Sequence, residues 1–163
     1  CKKAAEAMHL NALMDMEAID TPNGLRVLEI DARIPSQTPA AIEAGTGINL
    51  LKELVDCAMM KKSTAINTGG ASVYEHYAFK DGVLCTSGEK VFGRVRNPKI
   101  HTGLFGSDKM ITDYEPGKKE WYATVITKGR DEAEADKKRL IVRERMIYES
   151  NVKIFYDDSP EMV

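Results

Sequence analysis

The chain has 163 residues, 43% hydrophobic and 29% charged, enough apolar material for one modest core and inconsistent with a disordered or collagen-like polymer. Its 23 Lys and Arg nearly cancel its 25 Asp and Glu, so there is no global charge to draw nucleic acid or an acidic membrane. The most apolar stretch, residues 48–60, is interrupted by Lys52, Glu53 and Asp56 and falls short of the roughly 20 residues a spanning helix requires.

Cys1, Cys57 and Cys85 are widely spaced and match neither a disulfide framework nor a zinc site. They read as reduced thiols of a cytoplasmic protein, with Cys57 buried on a helical face beside Met59 and Met60. The opening Cys1-Lys2-Lys3-Ala4, with no initiating Met and no apolar leader, reads as the interior of a longer polypeptide.

Residues 2–13, KKAAEAMHLNAL, carry good helix formers and predict the end of an amphipathic helix. Residues 14–20 and 25–34 are strand-like and flank Thr21-Pro22-Asn23-Gly24, a set of turn formers that predicts a hairpin. A short helical turn is expected at AAIEA, broken by Gly45 and Gly47. From Ile48 to Lys61 the apolar residues follow helical spacing, and packing on a sheet is the natural use of such a face.

Residues 71–79 and 83–92 around Lys80-Asp81-Gly82 predict a second hairpin. Residues 93–110 read as loop, 121–127 as a strand, and Asp131 with Glu134 as the capping box of a charged helix running to Glu149. That helix reads as an exposed face of paired charges, with a last strand over 151–156. The mixture of hairpins and helices is α+β, divided into residues 1–62 and a small carboxyl-terminal α+β part, 63–163.

Within LRVLEIDARI side chains alternate faces, placing Leu28, Ile30, Ala32 and Ile34 in one row and Glu29, Asp31 and Arg33 in the other. An odd number of turn residues sets Glu17 directly across from Glu29; an even number sets it across from Leu28. In the odd register two carboxylates stand roughly 5 Å apart at Cβ with a third nearby, which repulsion disfavours unless a cation lies between them. An all-oxygen set without His or Cys favours magnesium or manganese over zinc. A solvated hairpin face, with Arg33 paired to Asp31 or Glu29, explains the alternation equally well.

The string Glu29-Ile30-Asp31-Ala32-Arg33 resembles the acid-x-amide-or-acid-x-Arg signature on the last metal-binding strand of ATP-grasp ligases. Glu17, twelve residues earlier, matches the acid on the preceding strand. The longer string GLRVLEIDARIPSQTP with TGINLLKELVD, and then YEHYAFKDGVL and SGEKVF, are similar to the branch of that family that serves pyrrolysine biosynthesis. There Asp stands for the usual Asn, as Asp31 does here.

The resemblance implies the carboxyl-terminal part of an ATP-grasp catalytic domain, an antiparallel sheet with packed helices, in an enzyme that makes an amide from a carboxylate and an amine. The carboxylate would be activated as an acyl phosphate, and the substrates would be ATP, 3-methylornithine and the side-chain amine of lysine. It implies magnesium or manganese on Glu17, Glu29 and Asp31, with Glu17 and Glu29 set against ATP. Arg33 would be catalytic and substrate-binding, and Ser36, Gln37 and Thr38 would contact the amino acids. A fragment without the preceding part of that fold would be inactive alone.

Two other readings stay open: another ATP-grasp ligase, D-alanine-ligase-like or carbamoyl-phosphate-synthetase-like, and a non-catalytic interaction module. Glu75 and His76 are neighbours in a strand and so cannot form a dyad; a buried, hydrogen-bonded imidazole accounts for the latter. RVRNPK and the glycines near 69 and 103–106 read as solvated loop and turns, not as nucleic-acid or phosphate sites.

Overall fold

A computed structural model describes residues 2–10, 13–35, 38–63, 65–67, 69–88 and 93–158. The chain divides into two compact units, Cys1–Thr68 and Gly69–Val163.

In the first unit, α1 (Lys2–Ala7) is shorter than the predicted span. It ends where Leu10 N–H reaches back to the Ala5 carbonyl and His9 takes a positive φ of 52°, a conformation that cannot continue a right-handed helix. Strands β1 (Asp15–Ile19) and β2 (Arg26–Asp31) then form an antiparallel hairpin.

Helix α2 covers Thr38–Thr46, so Gly45 lies buried inside a helix and does not break one. Gly47, at φ 74°, closes it by donating to the Glu43 carbonyl at 2.9 Å, the left-handed cap that glycine adopts at least cost. Helix α3 (Leu50–Ala58) starts at Asn49, whose side chain accepts from Lys52 N–H at 2.9 Å and satisfies an otherwise orphaned donor. Its apolar face exists as predicted, yet no residue of α3 is buried. Leu51, Val55 and Met59 are each more than half exposed, and Cys57 is exposed, not buried.

The second unit is a six-stranded sheet in the order β5-β6-β7-β3-β4-β8. Strands β3 (Ala71–Lys80) and β4 (Val83–Ser87) meet at Asp81-Gly82, with φ of 49° and 89°. Two successive positive φ values make the tight turn whose twist suits a two-residue hairpin. Residues 93–110 are not all loop. They contain β5 (Lys99–His101), a 3₁₀ turn (Leu104–Gly106) and, from residue 109, β6 (Lys109–Thr112).

The central strand β7 (Glu120–Gly129) pairs with β3 along its whole length and is buried from Trp121 to Thr127. Helix α4 (Glu132–Glu149), capped by Asp131, buries Ala135, Val142 and Met146. It is therefore a packing helix whose polar residues carry the charges, not a purely solvated one. Strand β8 (Ile154–Tyr156) runs parallel to β4, which makes the sheet mixed and the chain α+β. The core of the unit stacks Phe79 on Trp121 at 5.2 Å between ring centroids, with Tyr114 edge-on to the same indole. Among the described residues no helix is long and apolar enough to cross a membrane.

Candidate functional site

The hairpin of the first unit is built by its turn. Gly24 N–H donates to the Thr21 carbonyl at 2.8 Å and the Thr21 hydroxyl to the Gly24 carbonyl at 2.7 Å, with Gly24 at φ 92°. The last pair before the turn is Ile19 with Arg26, so residues 20–25 close an even loop. Continued regularly, that register sets Glu17 against Leu28.

The register shifts between Glu17 and Ala18 instead: Ala18 pairs with Val27, Glu17 with Glu29, and Leu28 is the extra residue of a bulge. One unpaired residue flips everything beyond it to the other face. The acid-on-acid register predicted for an odd loop is thus reached from an even one. Leu28, expected in an apolar row with Ile30, is 62% exposed.

Below the bulge two carboxylate pairs stand opposite each other, Glu17 with Glu29 and Asp15 with Asp31. Alternation puts all four on one face of the ribbon, and Met16 and Ile30 on the other. Asp15 was not singled out from the sequence, although its signal was there: Asp-Met-Glu has the same two-residue spacing as Glu-Ile-Asp. Like charges directly across a ladder are destabilising, so the face invites a cation.

One cation of the chain already answers. Arg33 lies beyond the end of β2 rather than on the strand, and its Nε–H donates to Asp31 Oδ2 at 2.8 Å. This is the pairing of a solvated hairpin. Among the described residues no three His, Cys, Asp or Glu side chains stand close enough together to hold one ion. The donor chemistry of the face, carboxylate oxygens with neither imidazole nor thiolate, fits a hard divalent cation such as magnesium. Thr38 opens α2 and is half-buried, while Ser36 and Gln37 lie outside the described residues.

The second unit uses its polar residues structurally. Glu75 accepts from the Tyr77 hydroxyl and from Arg139 Nη1 at 2.6 Å, tying β3 to α4. Burial, reinforced by the neighbouring Glu75 carboxylate, pushes the Tyr77 phenol far above its ordinary range. His76 is buried with Nδ1 at 2.8 Å from the Thr124 hydroxyl, the role predicted for it.

No family model matches the chain. Three curated proteins, each named 3-methyl-D-ornithine--L-lysine ligase, do. That of Methanosarcina barkeri is 43% identical over 90 residues, 53% of this chain and 25% of its own length. That of Methanosarcina mazei is 40% identical over 90 residues, 53% of this chain and 24% of its own. That of Methanosarcina acetivorans is 32% identical over 149 residues, 86% of this chain and 40% of its own. The chain is similar to these lysine ligases. It spans about a quarter to two fifths of their length.

Proposed function

We propose that the chain is part of an ATP-dependent carboxylate-amine ligase that joins 3-methylornithine to the side-chain amine of lysine, in pyrrolysine biosynthesis. The observation that carries this reading is the bulge-corrected register, which sets Glu17 against Glu29 with Asp31 two residues along on the same face. Similarity to three ligases of that name supports the substrate assignment.

In this reading Glu17, Glu29 and Asp31 would hold magnesium, which supplies charge neutralisation at the nucleotide phosphates. The carboxylate substrate attacks the γ-phosphorus, forming an acyl phosphate and releasing ADP. The lysine amine then attacks the acyl carbon, and phosphate departs as the amide forms and the amine loses its proton. Arg33, which donates through Nε to Asp31, would neutralise the acyl phosphate and the oxyanion formed on amine attack. Asp31 orients that guanidinium, so one carboxylate links the ion site to the transferred group. Thr38, with Ser36 and Gln37, would contact the amino acids.

Titration calorimetry of the full-length protein with magnesium and a non-hydrolysable ATP analogue tests the assignment. Metal-dependent nucleotide binding that Glu29→Gln weakens at least tenfold is the expected result. Its absence from the parent protein favours the interaction module, a reading that the exposed Arg33–Asp31 pair also fits. Product analysis with ornithine analogues and lysine, against alanine, separates this ligase from a D-alanine-ligase-like one.

A further inference from the structure

The outer strands of the six-stranded sheet are β5 and β8, and they are guarded unequally. Strand β5 begins at Lys99 and follows Arg96 and Pro98; proline and charge of a single sign are the usual protection of an open edge. Strand β8 lies within Lys153-Ile154-Phe155-Tyr156-Asp157, where a cation and an anion bracket three large apolar residues. Among the described residues no strand pairs with its outer side.

Ile154 N–H donates to the Gly82 carbonyl at 3.2 Å, so Ile154 and, two residues on, Tyr156 present their backbone groups to β4. Phe155 between them presents its N–H and carbonyl to the open side. The side chains divide as well. Phe155 packs against the core beneath Arg143, whose Cζ is 5.1 Å from the ring centroid. Ile154 and Tyr156 point the other way and are 47% and 55% exposed. Asp157 returns to the Phe155 side, where its Oδ2 accepts from Arg143 Nη1 at 2.7 Å and its Oδ1 from the Thr86 hydroxyl at 3.2 Å. Lys153 and Asp157 are both exposed.

From this layout we infer that β8 is the contact surface for a second copy of this chain, the two edges pairing antiparallel about a two-fold axis at Phe155. The segment is self-complementary under that operation, as an isologous contact requires. Phe155 of each copy exchanges both backbone hydrogen bonds with Phe155 of the other, the closely bonded pair of an antiparallel ladder. On the exposed face Ile154 of one copy meets Tyr156 of the other, a β-branched and aromatic pair. At both ends Lys153 of one copy comes alongside Asp157 of the other. The inference does not depend on the ligase reading, because the acidic hairpin takes no part in the contact.

Sedimentation equilibrium of the full-length protein is expected to show monomer and dimer with a dissociation constant on the order of 10 μM, weak because the paired edge is short. Lys153→Glu sets like charges together at both ends of the pairing and should raise that constant at least tenfold. Asp157→Lys should do the same, and an equimolar mixture of the two variants, which restores both ion pairs, should associate as the parent does. Asp157→Lys also gives up the Arg143 pair, so amide exchange in the parent supplies a second reading that needs no substitution. The Phe155 N–H should exchange more slowly as protein concentration rises through the dissociation constant, while the Ile154 N–H, already bonded to Gly82, should not change. A parent that stays monomeric up to about 300 μM, as it would if this edge served a strand of another protein, overturns the inference. So does a dimer whose dissociation constant Lys153→Glu leaves unchanged, or one whose formation leaves Phe155 exchange as it was.

Discussion

Glu17 faces Glu29 because Leu28, between Val27 and Glu29, has no partner on β1. A single residue left out of the ladder decides whether the acids of the two strands share a face.

This relationship makes two deletions diagnostic. Removing Leu28 leaves Ala18 opposite Val27 and brings Glu29 into regular register with Glu17, so all four acids stay on one face. Removing Ile30 puts Asp31 on the face opposite Glu29. Magnesium-dependent nucleotide binding by the full-length protein should persist within about threefold in the first variant and fall at least tenfold in the second. Calorimetry reads both, and equal loss in the two variants would dissociate binding from the register.

Much of this architecture was legible. The Thr21–Gly24 turn, the Asp81-Gly82 hairpin and the Asp131 cap are local: each depends on a few adjacent residues with special backbone or side-chain chemistry, and sequence displays such chemistry directly. Two features depend on distant partners and were not legible. The bulge at Leu28 depends on how the two strands pair beyond the turn, which the parity of the loop does not reveal. Strands β5 and β6 are three and four residues long, too short to establish a period, and form because β7 offers β6 an edge and β6 offers one to β5. Cys57 misled for a related reason: helical spacing identifies an apolar face on α3 but cannot say whether anything covers it.

Gly129 is required by space. A Cβ there would sit 2.4 Å from Ala135 N, 2.8 Å from Glu134 Cβ and 2.9 Å from the Asp131 carbonyl oxygen, where β7 turns into α4. Two of the three obstacles are backbone atoms, which cannot rotate aside. Gly129→Ala should destabilise the second unit by about 3 kcal/mol, the upper range for overpacking. Urea unfolding followed by Trp121 emission measures it, and a loss under about 1 kcal/mol would show that the junction can open cheaply.

Acid should act through Glu120. The Tyr122 hydroxyl donates to its Oε1 at 2.6 Å, and that bond, with Lys80 nearby, holds the carboxyl below its usual value of 4.5. A depressed folded-state value stabilises the fold above the unfolded value and ceases to do so as pH falls through the folded one. The melting temperature of the parent chain should therefore exceed that of Glu120→Gln at pH 7 and converge with it as pH falls through the depressed folded-state value. A difference that persists unchanged at pH 3 would mean that the substitution acts through shape, not ionisation.

The Glu75–Arg139 pair should behave as a coupled unit. Arg139 divides its guanidinium between Glu75 at 2.6 Å and Asp136 at 2.7 Å, and Glu75 divides its carboxylate between Arg139 and the Tyr77 hydroxyl. The side chains of Glu75 and Arg139 are only 13% and 20% exposed, so solvent screens them far less than a surface pair. Glu75→Ala strands the cation with Asp136 alone, and Arg139→Ala leaves the anion with a neutral phenol. Each single change should cost about 2 kcal/mol, part of it the penalty of an unmatched partially buried charge. The double variant removes both charges and that penalty with them, so its cost should fall short of the summed singles by about 1 kcal/mol. Tyr77→Phe takes away one hydroxyl while leaving the ion pair, and should cost about 1 kcal/mol. Denaturant curves on the four variants yield these differences, and strict additivity of the two alanine changes would show that β3 and α4 are held by packing at Val142 and Met146 without help from the charges.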